Sequence, residues 1–191
     1  MTIDMKPEAL LWIDTETTGI DPEHDQLLEI AIRCTDTHAE TTYGACHRII
    51  RPHHLDLTAM DPTVFTMHTD NGLLHDVIDA DPQANSPEAA RNAIEETIES
   101  LAQRFHLIPA GSNPAGSNPA FDLAFTHTAG YRIEHLLDHR RYDLNTIRWH
   151  HRFTNQPDPM ADRHHTSHRA PDCIQRDINE HRTLIQKETN Q

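Results

Sequence analysis

No apolar run in this 191-residue chain approaches the ~20 residues that a membrane-spanning helix needs. The first residues, with Asp4, Lys6 and Glu8, lack the apolar stretch of a secretory signal, so a cytoplasmic protein is expected. Paired cysteines are missing too. Cys34, Cys46 and Cys173 are odd in number and fall in no paired spacing, which argues against a disulfide framework and a cysteine zinc site. Basic residues are the third shortage: 16 Lys and Arg against 30 Asp and Glu leave a formal charge of −14, which disfavours tight wrapping of duplex DNA. A short or single-stranded partner held by a few contacts and metal ions is more compatible with that charge. Apolar residues are also sparse, at 36% with a mean hydropathy of −0.68, yet they cluster with clear periodicity, so the chain is expected to fold. Its length fits one domain over 1–191, with a core at about 8–187. Histidine alone is abundant, with 17 copies that would shift the charge balance as pH falls toward ~6.

Residues 9–14, 27–35 and 42–51 read as three strands, the first two joined by a polar turn at 19–25, an antiparallel start to a sheet. Residues 55–80 read as short helices and loops. A helix is expected over about 87–105, where Ser86 is placed as cap, Pro87 takes the first helical position, and Ala90, Ile94, Ile98, Leu101 and Phe105 recur every three or four residues. Residues 107–110 make a weak fourth strand. It leads into a direct repeat, Ala110-Gly111-Ser112-Asn113-Pro114 and then Ala115-Gly116-Ser117-Asn118-Pro119, most simply a tolerated loop insertion. Helices at about 122–129 and 131–139, a strand at 141–143, a helix at 144–153 and a last helix at about 171–187 complete the pattern. The last carries the stripe Ile174, Ile178, His181 and Ile185. Strands first, then strands alternating with helices, predict α/β architecture with a mixed sheet flanked by helices.

One motif stands out. Trp12-Ile13-Asp14-Thr15-Glu16-Thr17-Thr18-Gly19 follows the buried-type run Ala9-Leu10-Leu11 and sets two carboxylates two residues apart at a strand end. Side chains at i and i+2 of a strand share a face, so Asp14 and Glu16 converge. Such a pair suits a hard divalent cation, which takes oxygen ligands and keeps positions open for water and phosphate. A solvated surface turn would be the bland alternative, and the core strand before it favours a site.

Three later segments supply partners: Phe121-Asp122 after the Gly/Ser/Asn/Pro loop, Arg141-Tyr142-Asp143-Leu144-Asn145-Thr146, and Ser167-His168-Arg169-Ala170-Pro171-Asp172 before the last helix. In that order the chain resembles the DEDDh 3′→5′ exonucleases. It is most similar to the oligoribonuclease branch, whose His-Thr-x-x-Gly-Leu segment matches His68-Thr69-Asp70-Asn71-Gly72-Leu73. The resemblance implies an RNase H-like fold and hydrolysis of phosphodiester bonds by two divalent ions about 4 Å apart. It implies Asp14, Glu16 and Asp122 as metal ligands and His168 as the general base, with His164 and His165 as neighbours that a shift of register would promote. Substrate contacts are implied from Thr15, Thr17, His68 and Asn118, and a homodimer is implied as well. An oxygen-rich donor set points to magnesium or manganese rather than zinc, with a lean toward manganese.

Two departures from the pattern follow. The family's last ligand is an Asp five residues after the His, and that position here is Cys173. Asp172, one residue earlier, is expected to substitute as fourth ligand, the first turn after Pro171 adjusting to bring it in. A weak three-carboxylate site and a thiolate ligand are the alternatives, sulfur being a poor match for magnesium. Secondly, Thr15 and Thr63 stand where the family has a bulky apolar residue and a tryptophan that grip the terminal bases, so single-stranded DNA is as open as RNA. The leading function is a metal-dependent exonuclease releasing nucleoside 5′-monophosphates from short or single-stranded nucleic acid. A non-catalytic nucleic-acid-binding relative and a proofreading-type module bound to a polymerase are the other two classes, and the four matched groups favour the enzyme.

Overall fold

The computed structural model describes residues 6–112, 118–157 and 167–189. Five strands form one mixed sheet: β1 (Glu8–Thr17), β2 (Leu27–Thr35), β3 (Thr42–Ile49), β4 (His106–Gly111) and β5 (Tyr142–Asp143), in the order β3-β2-β1-β4-β5. The neighbours β1–β2 and β2–β3 pair antiparallel, and β1–β4 and β4–β5 pair parallel, as the sequence pattern predicted. β1 is central because nearly every residue after Glu8 is buried on one face or the other, whereas β3, at the edge, keeps half-exposed positions.

The flanking helices are α1 (Pro62–Asp70), α2 (Leu73–Asp79), α3 (Pro87–Arg104), α4 (Asn118–Thr128), α5 (Leu144–Phe153) and α6 (Ala170–Thr189). Ser86 caps α3 as expected, its hydroxyl accepting from the Ala89 N–H at 3.2 Å. Ala90, Ile94, Ile98 and Leu101 of α3 pack with α4 against Leu11, Ile13, Ile30 and Ile32 on one face of the sheet. On the opposite face Ala170, Ile174 and Ile178 of α6 pack against Leu10, Trp12 and Ala31. Burying each large aliphatic here is worth roughly 1.5–3 kcal/mol, so the helices on the two faces clamp β1 between them. Gly72, with φ of 79°, turns α1 into α2 through a left-handed conformation that a β-carbon would strain. Among the described residues no helix is long and apolar enough to cross a membrane, and no disulfide joins any of the three cysteines.

Two expected elements differ. Residues 131–139 do not form a helix; only Glu134–Leu136 make a single 3₁₀ turn. The sheet competes for this segment, since Leu137 bridges Leu107 in parallel and the Asp138 N–H donates to the Leu107 carbonyl at 2.8 Å. The helix expected from 122 begins at Asn118, with Pro119 in its first turn, where a missing N–H costs nothing. Asp122 therefore sits in the second turn of α4, not the first.

Candidate active site

Alternation along β1 decides which helix each site residue meets. Leu11 and Ile13 face α3 and α4 while Leu10 and Trp12 face α6, so the two-residue period hands Asp14 and Glu16 to α6 and Thr15 to α4. Cys173, in the first turn of α6, meets the carboxylates: one donor atom each from Asp14, Glu16 and Cys173 lie within 4.8 Å of one another. On the other side Thr15 donates to Asp122 Oδ1 from its backbone N–H at 2.9 Å and from its hydroxyl at 2.7 Å. The end of β1 is thus gripped from both faces.

These groups are buried, with 8% of Asp14, 7% of Glu16 and 2% of Asp122 exposed, which makes their charges costly. Burial first, then repulsion from Asp122 and Glu16, holds Asp14 well above the usual carboxylate range. Burial, followed by the charge of Glu29, pushes Glu16 up to about 9. Asp122 is pushed up to about 7 by burial, against the opposing pull of the Thr15 hydrogen bonds. Among the described residues Asp14 takes no hydrogen bond and makes no ion pair, and Glu16 has only His68 Nε2 at 3.9 Å as a salt-bridge partner. A divalent cation would satisfy Asp14 and Glu16 at once, so the donor set of the cleft fits one.

His168 borders the same cleft, of about 200 Å³, as Asp14, Glu16 and Cys173. Its side chain is exposed and its backbone is left-handed, with φ of 53°, a strained state for a histidine. The backbone around it is anchored. Asn71 Nδ2 donates to the His168 carbonyl at 2.6 Å, and Glu29, fully buried in β2, accepts from Arg169 Nη2 at 2.9 Å and from the Ala170 N–H at 2.8 Å. His47 Nε2 lies 2.8 Å from the same carboxylate, which these partners hold below the ordinary range despite its burial. His164 and His165 lie outside the described residues.

Three of the residues expected to contact substrate, Thr15, Thr17 and His68, are buried. Thr15 spends its hydroxyl on Asp122, Thr17 donates its own to the Gly19 carbonyl at 2.5 Å, and His68, 1% exposed, sets Nε2 3.0 Å from the Thr17 carbonyl. All three border the cleft, but their side chains brace its floor. The side chain of Asn118 lies outside the described residues. Ile20, Val64, Met67 and Phe121 supply apolar cleft wall that the sequence analysis did not single out, although Val64 and Met67 follow the expected position Thr63 on the same helix.

Asp172 is not brought into the site. It is exposed, and its Oδ2 accepts from the Ser167 hydroxyl at 2.5 Å. α6 is already helical at Ala170, so the backbone has no slack to rotate Asp172 inward, and Ile174 and Ile178 in the core lock the helical phase that aims Cys173 instead. Asp177, one turn beyond Cys173, is a buried carboxylate that the sequence reading missed. It accepts from Ser112 Oγ at 2.8 Å and from Arg176 Nε at 2.9 Å, and its charge reaches Asp14 and Asp122. Its i+4 spacing from Cys173 was the available signal, as Glu29 inside Leu27-Leu28-Glu29-Ile30 was for the anchor.

Solved structures share this architecture. An exonuclease I superposes with a TM-score of 0.64 at 18% identity, covering 95% of this chain and 42% of that one. The complex of E. coli exonuclease I with a dT13 oligonucleotide gives 0.58 at 16% identity, over 97% of this chain and 42% of that chain. The fold is therefore the RNase H-like fold of exonucleases, carried here by a chain that spans less than half of those proteins. A family model described as "Exonuclease" matches residues 11–78. Oligoribonuclease of Vibrio cholerae is 30% identical over 180 residues, 91% of both chains, and that of Pseudomonas fluorescens is 32% identical over 145 residues, 74% of both. The chain belongs to the oligoribonuclease family of exonucleases.

Proposed function

We propose that this protein is a metal-dependent 3′→5′ exonuclease that shortens small or single-stranded nucleic acids to nucleoside 5′-monophosphates. The observation that carries this reading is the convergence of Asp14, Glu16 and Cys173 in one cleft with His168, backed by Asp122, in a chain of the oligoribonuclease family. Asp14, Glu16 and Asp122 would hold two divalent ions, magnesium or manganese. When bound, such ions make water nucleophilic at neutral pH and stabilise the leaving 3′ oxygen.

The chain's own residues do the rest. His168 takes the proton of the attacking water on its ring, and its exposed position at the cleft rim suits a group that must reach solvent. Thr15 and His68 keep Asp122 and the Thr17 backbone in place, so the carboxylates stay aimed when substrate arrives. Ile20, Val64, Met67 and Phe121 offer apolar surface to the terminal bases, in place of the family's aromatic grip. Such a wall reads no sugar, which fits either RNA or DNA ends. A homodimer and a cytoplasmic location belong to the same reading, the latter in keeping with three cysteines that form no disulfide.

The test is a 5′-labelled oligonucleotide, RNA and DNA in parallel. The expected result is a ladder shortening from the 3′ end, with nucleoside 5′-monophosphates released, that stops in EDTA and is restored by added divalent ion. Equal cleavage in EDTA sinks the mechanism, and no cleavage of either polymer sinks the assignment. Sedimentation of the purified chain reads the dimer.

A further inference from the structure

We propose that Cys173 is itself a metal ligand, bound as a thiolate, and that the pocket it forms with Asp14 and Glu16 prefers a sulfur-accepting divalent ion such as zinc or cobalt over magnesium. This rests on the metal-dependent reading above and changes its most basic term, the kind of ion.

Geometry comes first. Donors on one tetrahedral zinc ion, with bonds of about 2.3 Å to sulfur and 2.0–2.2 Å to oxygen, stand roughly 3.4–3.6 Å apart, so the pocket must draw in by about 1 Å. The three donors here lie within 4.8 Å of one another, so they close on one ion with small side-chain shifts. Asp14, 92% buried by its 8% exposure, takes no hydrogen bond and makes no ion pair among the described residues, and it is aimed at this same point. A buried carboxylate in that state is neutralised by a proton or by a bound cation, and the two neighbouring donors give a cation its place.

Donor chemistry then narrows the ion. Magnesium demands oxygen ligands and sheds water reluctantly, whereas zinc and cobalt accept thiolate and carboxylate together. Two oxygens and one sulfur from the chain also leave a fourth position free for water or a phosphate oxygen, the pattern of catalytic rather than structural zinc sites. The Arg176 guanidinium is buried beside the cluster, and its charge acts on both Cys173 and Asp14. Asp172, which would have kept the site all-oxygen, is turned away to Ser167.

The experiment is cobalt titration of the metal-stripped full chain, followed by absorption and by calorimetry. The expected result is a near-ultraviolet sulfur-to-cobalt charge-transfer band that saturates at the binding stoichiometry. Zinc should abolish it by displacement, and a large excess of magnesium should not. Cys173→Ser should lose the band, together with at least the roughly 10–100-fold in cobalt affinity that disturbing a metal's supporting groups costs. Cys173→Asp should lose the band and gain magnesium affinity. Cobalt binding by the wild type without the band overturns the thiolate, whatever the variants do, and so does a band that survives in Cys173→Ser. Oligonucleotide cleavage is scored separately. A band without cleavage under any metal keeps the thiolate site and sinks the exonuclease reading, while cleavage without a band does the reverse.

Discussion

A single histidine carries the sharpest residue-scale prediction. His168→Ala is expected to lower turnover by roughly 10²–10⁴-fold while oligonucleotide affinity stays nearly unchanged, because a general base acts in the transition state and not in binding. Single-turnover cleavage with a parallel binding titration checks it; a variant within a few-fold of wild type removes His168 from the role. Asp172→Ala is expected to do little, since that carboxylate is exposed and spends itself on Ser167. Turnover within a few-fold of wild type is the expected outcome, and loss of metal-dependent cleavage would show that α6 rearranges when metal binds.

At the scale of elements, the site depends on how helices on both faces of the sheet clamp one strand. α4, packed with α3 in one core, holds Thr15 from one face and α6 brings Cys173 to Asp14 and Glu16 from the other, so loosening a helix should loosen the site. Ile98 is fully buried in α3, and Ile98→Ala is expected to cost about 2–5 kcal/mol by transfer and cavity terms, read by urea denaturation. A smaller loss would mean that the α3 face collapses around the gap. The sequence marked α3 well, because Ser86, Pro87 and the apolar stripe are local signals. It overreached at 131–139, where the pairing of Leu137 with Leu107 outweighed helical preference.

At the scale of the whole molecule, the buried carboxylates link stability to pH and to metal. Glu16, raised from 4.5 to about 9, and Asp122, raised from 3.8 to about 7, bind protons more tightly in the folded state than in the unfolded one. Their contribution is therefore fully present below about pH 4 and is lost as pH rises through the folded values. The metal-free chain should lose stability between about pH 4 and 9 from these groups, and a bound divalent ion should restore it by replacing the protons. Thermal melts at pH 6 and pH 8 should show a larger stabilisation by metal at pH 8, with protons released on binding. A stabilisation that is equal or larger at pH 6 would contradict the buried, uncompensated state of the cluster.

What the sequence determined by itself was the order of the motifs, the central strand with Asp14 and Glu16 at its end, the capped helix α3 and the mixed sheet, because each is written in spacings of two to four residues that local geometry imposes. Only the tertiary structure decided which carboxylates and thiols meet. The choice of Cys173 over Asp172 is a matter of about 100° of rotation around α6, and that angle is set by Ile174 and Ile178 docking on the sheet beside Trp12. Likewise nothing local could say that Thr15 would spend itself on Asp122 across 107 residues, or that Glu29 would reach 140 residues along the chain to anchor Arg169 beside His168. Those contacts exist because burial in a shared core makes an unpaired polar group costly, and the partner is whichever group the packing brings within reach.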